Sequence, residues 1–127
     1  MNISDKEFRN IVSRAIDSLP PNYIKNMKNV AIIVEDEPTA EQRAKLKLVN
    51  GMTLYGLYEG IPLIRRSGNY NLVLPDKITI FKNPILEASG NLADLKAHVK
   101  RVVWHEIGHH YGLSDDEIHK LEQTRTK

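Results

Sequence analysis

The chain has 127 residues, of which 41% are hydrophobic and 27% are charged. These values are typical of one globular domain and exclude a disordered, collagen-like or coiled-coil chain. The longest uninterrupted apolar run, at residues 30–34, is far shorter than the roughly 18 residues that a membrane span requires. The first residues lack the pattern of a secretion signal, so we expect a cytoplasmic protein with no membrane partner.

Two further features of the composition restrict the chemistry. The chain has no cysteine, which excludes disulfides and thiolate metal ligands and leaves His, Asp and Glu as the strong ligands. Its net charge is only +2, and its short basic clusters, such as Lys96, Lys100 and Arg101, do not alternate with aromatic residues. We interpret these clusters as solvated surface and predict no nucleic-acid partner.

The N-terminal third is predicted to form a helix, a strand and a second helix. Ser4 and Glu7 have the spacing of a capping box, and apolar residues then recur at helical intervals up to Pro20. The apolar and mostly β-branched run at residues 30–34 predicts a central strand covered on both faces. Residues 39–49 show the weaker periodicity of a short, mostly exposed helix.

The middle of the chain has the pattern of short strands separated by turn residues. Four such strands are predicted, at residues 54–58, 61–65, 71–74 and 77–81. They indicate a small meander or mixed sheet.

The C-terminal third is predicted to contain two helices. A long helix begins at Asn91 and continues to Tyr111, where Gly112 is placed to end it in the left-handed conformation. Ser114 and Glu117 repeat the capping-box spacing at the start of a short last helix. We therefore predict one α+β domain over residues 1–127, with a small mixed sheet packed against the N-terminal helix and the long helix.

The long helix carries the motif HExxH as His105, Glu106 and His109. Four helical residues turn through about 400° and rise about 6 Å, so the two imidazoles lie on one face and can bind one ion. Glu106 lies at the flank of the pair, where it can reach a water that the metal makes acidic. This pattern predicts a metal centre.

A catalytic zinc usually takes three protein ligands, so a third is needed. Asp115 follows His109 by six residues and completes the pattern HExxHxxGxxD, although the helix dipole alone also favours an acid at that position. Four nearby residues are alternatives: Asp116, Glu117, His119 and Glu122. His98 lies two turns before His105, too far to share the ion, and we interpret it as a surface or capped histidine.

The motif and its surroundings resemble a known family. Asp115 stands where metzincins carry a third histidine, and no methionine follows to form a Met-turn. With the blocks at residues 57–63 and 74–81, the pattern resembles the small bacterial zincin-like metallopeptidases, which are minimal one-domain proteins. The resemblance covers about half the chain. It implies His105, His109 and Asp115 as zinc ligands and Glu106 as catalytic base.

These observations predict a monomeric, zinc-dependent peptidase that hydrolyses a peptide or protein substrate by a metal-bound water with Glu106 as general base. Residues 54–59 are a candidate edge strand for aligning the peptide, although they also fit a strand without a ligand. Tyr58, His110 and Tyr111 are candidates for a second oxyanion donor, and each also fits the core or the surface.

Three alternatives stay open. One is a zinc-stabilised binding module without catalysis. Another is a metal-dependent ribonuclease, since a bacterial family uses three histidines at the spacing HxxxHxxGxxH; here Asp115 replaces the last one. The third concerns the ion, because two histidines and a carboxylate also suit iron(II).

Overall fold

The computed structural model describes residues 2–21, 23, 30–45, 54–60 and 76–125, with the backbone alone at 45, 115 and 122–125. Within these residues the elements are α1 (Asp5–Asp17), β1 (Val30–Glu35), α2 (Ala40–Lys45), β2 (Gly56–Glu59), β3 (Asp76–Phe81), α3 (Lys82–Glu87), α4 (Leu92–His110) and α5 (Asp115–Arg125). The predicted α+β class is confirmed. None of the described helices combines the length and apolar character needed to span a bilayer.

The described strands form one mixed sheet in the order β1-β3-β2. β3 is parallel to β1 and antiparallel to β2. The prediction that residues 30–34 form the central strand is therefore wrong for this sheet: β3 is central, and most side chains of β1 are only half-buried. The sequence of β3 did not indicate a buried strand because it contains the polar residues Asp76 and Thr79. Both are nevertheless buried in the structure.

Three of the predicted elements extend beyond the described residues. The strands predicted at 61–65 and 71–74 lie wholly outside them, and so do residues 46–49 of the second predicted helix. The part of that helix inside them is α2, in which Gln42 donates its backbone N–H to the Thr39 hydroxyl at 3.0 Å.

The main core lies between α1, the sheet and α4. Its fully buried side chains include Phe8 of α1, Ile78 and Ile80 of β3, and Val99, Val103 and Ile107 of α4. Burying apolar surface on several sides of α4 gives the helix one fixed position. The chemistry-bearing residues on its remaining face are therefore held against the sheet.

The predicted helix boundaries are largely confirmed. Ser4 Oγ accepts the Glu7 backbone N–H at 3.1 Å, and the Glu7 carboxylate accepts the Ser4 N–H in return. Asn91 starts α4 by accepting the Asp94 N–H at 2.9 Å, and Gly112 follows its end with a positive φ of 79°. These side-chain bonds and the glycine satisfy backbone groups at helix ends, which is why their pattern is readable in the sequence.

One helix, α3, was not predicted. It follows β3 directly, and its N-cap residue Phe81 makes no side-chain capping bond, so the usual signature of a helix start is missing. Pro84 is the third residue of the helix. Proline is tolerated there because the N–H groups of the first turn have no partner within the helix.

Candidate metal centre and active site

His105 and His109 converge in the last turns of α4. Their Nε2 atoms lie 3.1 Å apart, and their rings stand edge to face at 84°. Two nitrogen ligands of a tetrahedral zinc ion, each at about 2.05 Å from the metal, are separated by about 3.3 Å. The pair therefore has the separation and the chemistry of two ligands to one divalent ion.

Glu106 lies beside this pair at a cavity of about 380 Å³ between α4 and the start of β2. Its side chain is largely buried, with a residue exposure of 7%. Gly56 of β2 comes close to the helix here: a β-carbon on Gly56 would lie 3.1 Å from Glu106 Cγ and 2.7 Å from Val102 Cγ1. The glycine thus lets the strand approach the motif closely, and the cavity opens next to the carboxylate.

All the candidate third ligands belong to the last helix, α5. Asp115 begins α5, but its side chain and that of Glu122 lie outside the described part of the structure, so Asp115 stays a prediction. Asp116, Glu117 and His119 are exposed. Among the described side chains, no group of three or more His, Cys, Asp or Glu is placed to hold an ion.

Glu117 has another role in the structure. Its carboxylate accepts the Ser114 N–H at 3.1 Å, and Ser114 Oγ accepts the Glu117 N–H at 3.2 Å. Hydrogen bonding of this carboxylate by the Ser114 backbone N–H, and then by the Ser114 side chain, favours its charged form and lowers the pKa of Glu117. The predicted capping box is confirmed, and it occupies the carboxylate of one alternative ligand.

The helix α5 is packed against the motif through Gly108 and Ile118. Ile118 is fully buried, and a β-carbon on Gly108 would lie 2.6 Å from its Cγ1 atom. Only glycine at this point of α4 permits that approach. The close packing places the first turn of α5, where Asp115 lies, next to the end of the HExxH helix.

Behind the motif lies a buried polar cluster that the sequence analysis did not identify. His110 Nδ1 and Asp76 Oδ2 are 3.0 Å apart, with both side chains almost completely buried. The Tyr58 hydroxyl donates to the same carboxylate oxygen at 2.8 Å. The cluster joins β2, β3 and α4, and no local sequence pattern relates residues so far apart along the chain.

The three candidate oxyanion donors all make other contacts. The Tyr111 hydroxyl donates to the backbone carbonyl of Tyr23, and its pKa is raised by burial and then by the neighbouring Tyr23. Tyr58 and His110 belong to the cluster around Asp76. The structure therefore gives all three a role in holding the fold.

The cavity is also lined by two residues of α4 that the sequence analysis assigned to the surface. His98 is half-buried and stands edge-on to Tyr55, with ring centroids 4.6 Å apart. Burial, and then the charge of Arg101, lower the pKa of His98. Arg101 is exposed, as predicted, but it also lines the cavity. Their spacing could have identified them from the sequence, since His98 and Arg101 precede His105 by seven and four residues and so share its face of the helix.

An α+β domain whose long helix carries HExxH beside the edge of a small sheet has the architecture of a zincin. A family model of zincin-like metallopeptidases matches residues 27–125, and the chain belongs to this family. The resemblance seen in the sequence is thus confirmed.

Among solved structures, the fold is similar to that of a conserved hypothetical protein from Thermus thermophilus. The TM-score is 0.56 at 20% sequence identity, and the match covers 95% of this chain and 99% of the other. At that identity the likeness supports the fold alone. No curated protein matches the chain.

Proposed function

We propose that the protein is a zinc-dependent peptidase in which His105, His109 and Asp115 bind the ion and Glu106 is the general base. The observation that carries the proposal is the 3.1 Å separation of the two histidine Nε2 atoms beside a cavity lined by Glu106. Membership of the zincin-like metallopeptidases supports the same chemistry.

In this proposal the residues of the protein hold the reacting groups in position and transfer the proton. Bound zinc supplies Lewis-acid polarisation of the scissile carbonyl and of the attacking water. Glu106 accepts a proton from that water and delivers it to the leaving amine. Its location at the cavity wall, with little exposure to solvent, limits the positions that the carboxylate can take and directs it toward a substrate in the cavity.

The strand β2 is suited to hold an extended substrate. It pairs with β3 along one side, and no other described strand pairs with it. The Phe81 N–H donates to the Tyr55 carbonyl at 2.9 Å, which continues the pairing to the residue before β2. We propose that a peptide aligns by backbone hydrogen bonds along residues 54–56, the part of this segment that lines the cavity beside Glu106.

The main alternative is a binding module in which zinc only ties α4 to α5. Ile118 already packs tightly against Gly108, so apolar contact joins the two helices without an ion. This packing favours a catalytic role for the metal over a purely structural one.

The first test is the zinc content per chain after extensive dialysis. We expect about one zinc per wild-type chain and little in His109→Ala or Asp115→Ala. The matched control is His119→Ala, which removes an exposed histidine of α5 and should retain the ion. Zinc loss in His119→Ala but not in Asp115→Ala would reassign the third ligand.

The second test separates catalysis from metal binding. Glu106→Gln preserves the shape of the side chain and should keep the zinc, but it should lower peptide hydrolysis by about 100-fold or more because the general base is lost. A peptide-library cleavage assay compares it with wild type. If Glu106→Gln cleaves peptides at the wild-type rate, Glu106 is not the base; if loaded wild-type protein cleaves none, the peptidase proposal fails.

A further inference from the structure

The cavity beside the motif has an apolar wall and a basic end. Leu54 is buried, Tyr55 is half-buried, and both lie on the strand side. Val102 covers the helix side, and Arg101 lines the cavity from the same helix. A cavity of about 380 Å³ has room for one amino-acid side chain together with part of its backbone.

Helix geometry places Arg101 close to the proposed reacting bond. Arg101 precedes His105 by four residues, which is about 40° around the helix and about 6 Å along it. It precedes Glu106 by five residues, a rise of about 7.5 Å. An extended peptide advances about 3.4 Å per residue, so a substrate residue next to the cleaved bond lies within reach of the guanidinium.

The charge of Arg101 is not neutralised within the described part of the chain. Arg101 takes part in none of the ion pairs identified among the described residues, such as those of Arg43, Lys77 and Lys82. The neighbour of Arg101 on the cavity wall is His98, held edge-on against Tyr55. Burial favours the neutral form of that imidazole, so the permanent positive charge at this end belongs to Arg101.

We propose, on the basis of the peptidase function above, that this cavity is a specificity pocket in which Arg101 recognises a carboxylate of the substrate next to the cleaved bond. A guanidinium binds a carboxylate through two parallel hydrogen bonds, and this geometry is better defined than that of an ammonium group. The stem of an acidic side chain packs on Leu54 and Val102. The carboxylate is either that of an Asp or Glu side chain or that of the substrate's C-terminus.

The test compares quenched fluorescent peptides that differ only in Glu or Gln beside the cleaved bond, each with a free or an amidated C-terminus. We expect wild type to prefer the peptide carrying the carboxylate by about tenfold or more in kcat/KM. Preference for Glu over Gln identifies a side-chain carboxylate, and preference for the free acid over the amide identifies the C-terminus.

Substitutions of Arg101 test whether this residue causes the preference for a carboxylate. Arg101→Gln should remove it by lowering kcat/KM for the carboxylate peptide alone, and Arg101→Glu should shift the preference toward a Lys peptide. The matched control is Lys100→Gln, which removes the same charge from an exposed neighbour about 100° away on the helix and should behave as wild type. An unchanged preference in Arg101→Gln would overturn the proposal while leaving the peptidase function intact.

A binding measurement decides the proposal even if no peptide is cleaved. The same peptides are titrated into metal-free protein and followed by fluorescence anisotropy. Tighter binding of the carboxylate peptide to wild type than to Arg101→Gln supports the pocket independently of catalysis. Equal affinity for the four peptides, or binding of none, overturns it.

Discussion

A β-carbon placed on Gly108 would lie 2.6 Å from Cγ1 of Ile118, a separation that a β-carbon and a non-bonded atom essentially never adopt. Gly108 lies between His105 and His109, close to the end of α4 at His110, and Ile118 of α5 is fully buried. The contact therefore sets how closely the last helix approaches the motif.

Gly108→Ala should lower the free energy of unfolding by about 1–3 kcal/mol, because the added methyl group overpacks a filled contact. It should also weaken zinc binding, since α5 must move away from the motif. The control is the double variant Gly108→Ala with Ile118→Ala, measured by urea denaturation. The alanine at 108 should cost less in that background; an equal cost in both backgrounds would show that the contact is not the cause.

Asp76→Ala should be among the most destabilising single substitutions in the chain. It leaves His110 and Tyr58 without their shared buried acceptor, at an expected cost of about 3 kcal/mol in the free energy of unfolding. Tyr58→Phe is the matched control, because it removes one hydrogen bond and should cost about 1 kcal/mol. A cost for Asp76→Ala no greater than for Tyr58→Phe would contradict this role of the carboxylate.

Tyr111→Phe should leave the rate of peptide hydrolysis within about twofold of wild type, since the hydroxyl donates to the Tyr23 carbonyl and not to a substrate. Loss of that hydrogen bond should lower the unfolding free energy by about 1 kcal/mol. Parallel measurements of kcat and of thermal unfolding check both statements. A fall of about 100-fold in kcat with unchanged stability would restore Tyr111 as an oxyanion donor.

The pKa of His98 should respond to Arg101. Burial and the Arg101 charge both lower it below 6.5, so Arg101→Gln should raise it while burial keeps it under that value. NMR titration of the imidazole in wild type, Arg101→Gln and Lys100→Gln measures the effect. A pKa that moves equally in both variants would argue against a specific contact between His98 and Arg101.

Acid should weaken the link between α1 and α3. Lys82 Nζ donates to Asp5 Oδ1 at 2.7 Å, and this hydrogen bond, with the lysine charge, holds the pKa of Asp5 below 3.8. A carboxylate with a lowered pKa in the folded state stabilises it above the unfolded-state pKa and loses that effect as the pH falls through the folded-state pKa.

The stability difference between wild type and Asp5→Asn, obtained by urea denaturation, should therefore shrink as the pH falls from about 5 to about 2. Lys6→Gln, on an exposed neighbour in the same helix turn, provides the matched control. A difference that does not vary with pH would rule out the Asp5 carboxylate as its source.

The sequence predicted those features of the fold that depend on local chemistry. Ser4, Asn91 and Ser114 cap helices in the structure because each side chain satisfies a nearby backbone group. The pairing of His105 with His109 follows in the same way from four residues of helix. Such relationships span three or four residues and need no knowledge of the tertiary structure.

The features that sequence reasoning missed depend on distant residues. The central position of β3 was not predicted because this strand begins with the polar residue Asp76. Its burial depends on a contact with His110, which lies 34 residues away in the sequence. The lining of the cavity by Arg101 depends likewise on Leu54 and Tyr55 across from it. A basic residue on a helix surface looks the same in the sequence whether solvent or another strand faces it.

His105 and His109, the proposed histidine ligands, belong to one 19-residue helix, which the core holds from several sides. The conformational entropy of aligning their backbones is therefore lost when the chain folds, and little further ordering is needed when an ion arrives. The affinity for metal then depends on how rarely the last turns of α4 fray. Substitutions in the apolar core far from any ligand should weaken metal retention before they unfold the domain, because local opening of this one helix separates the two nitrogen atoms.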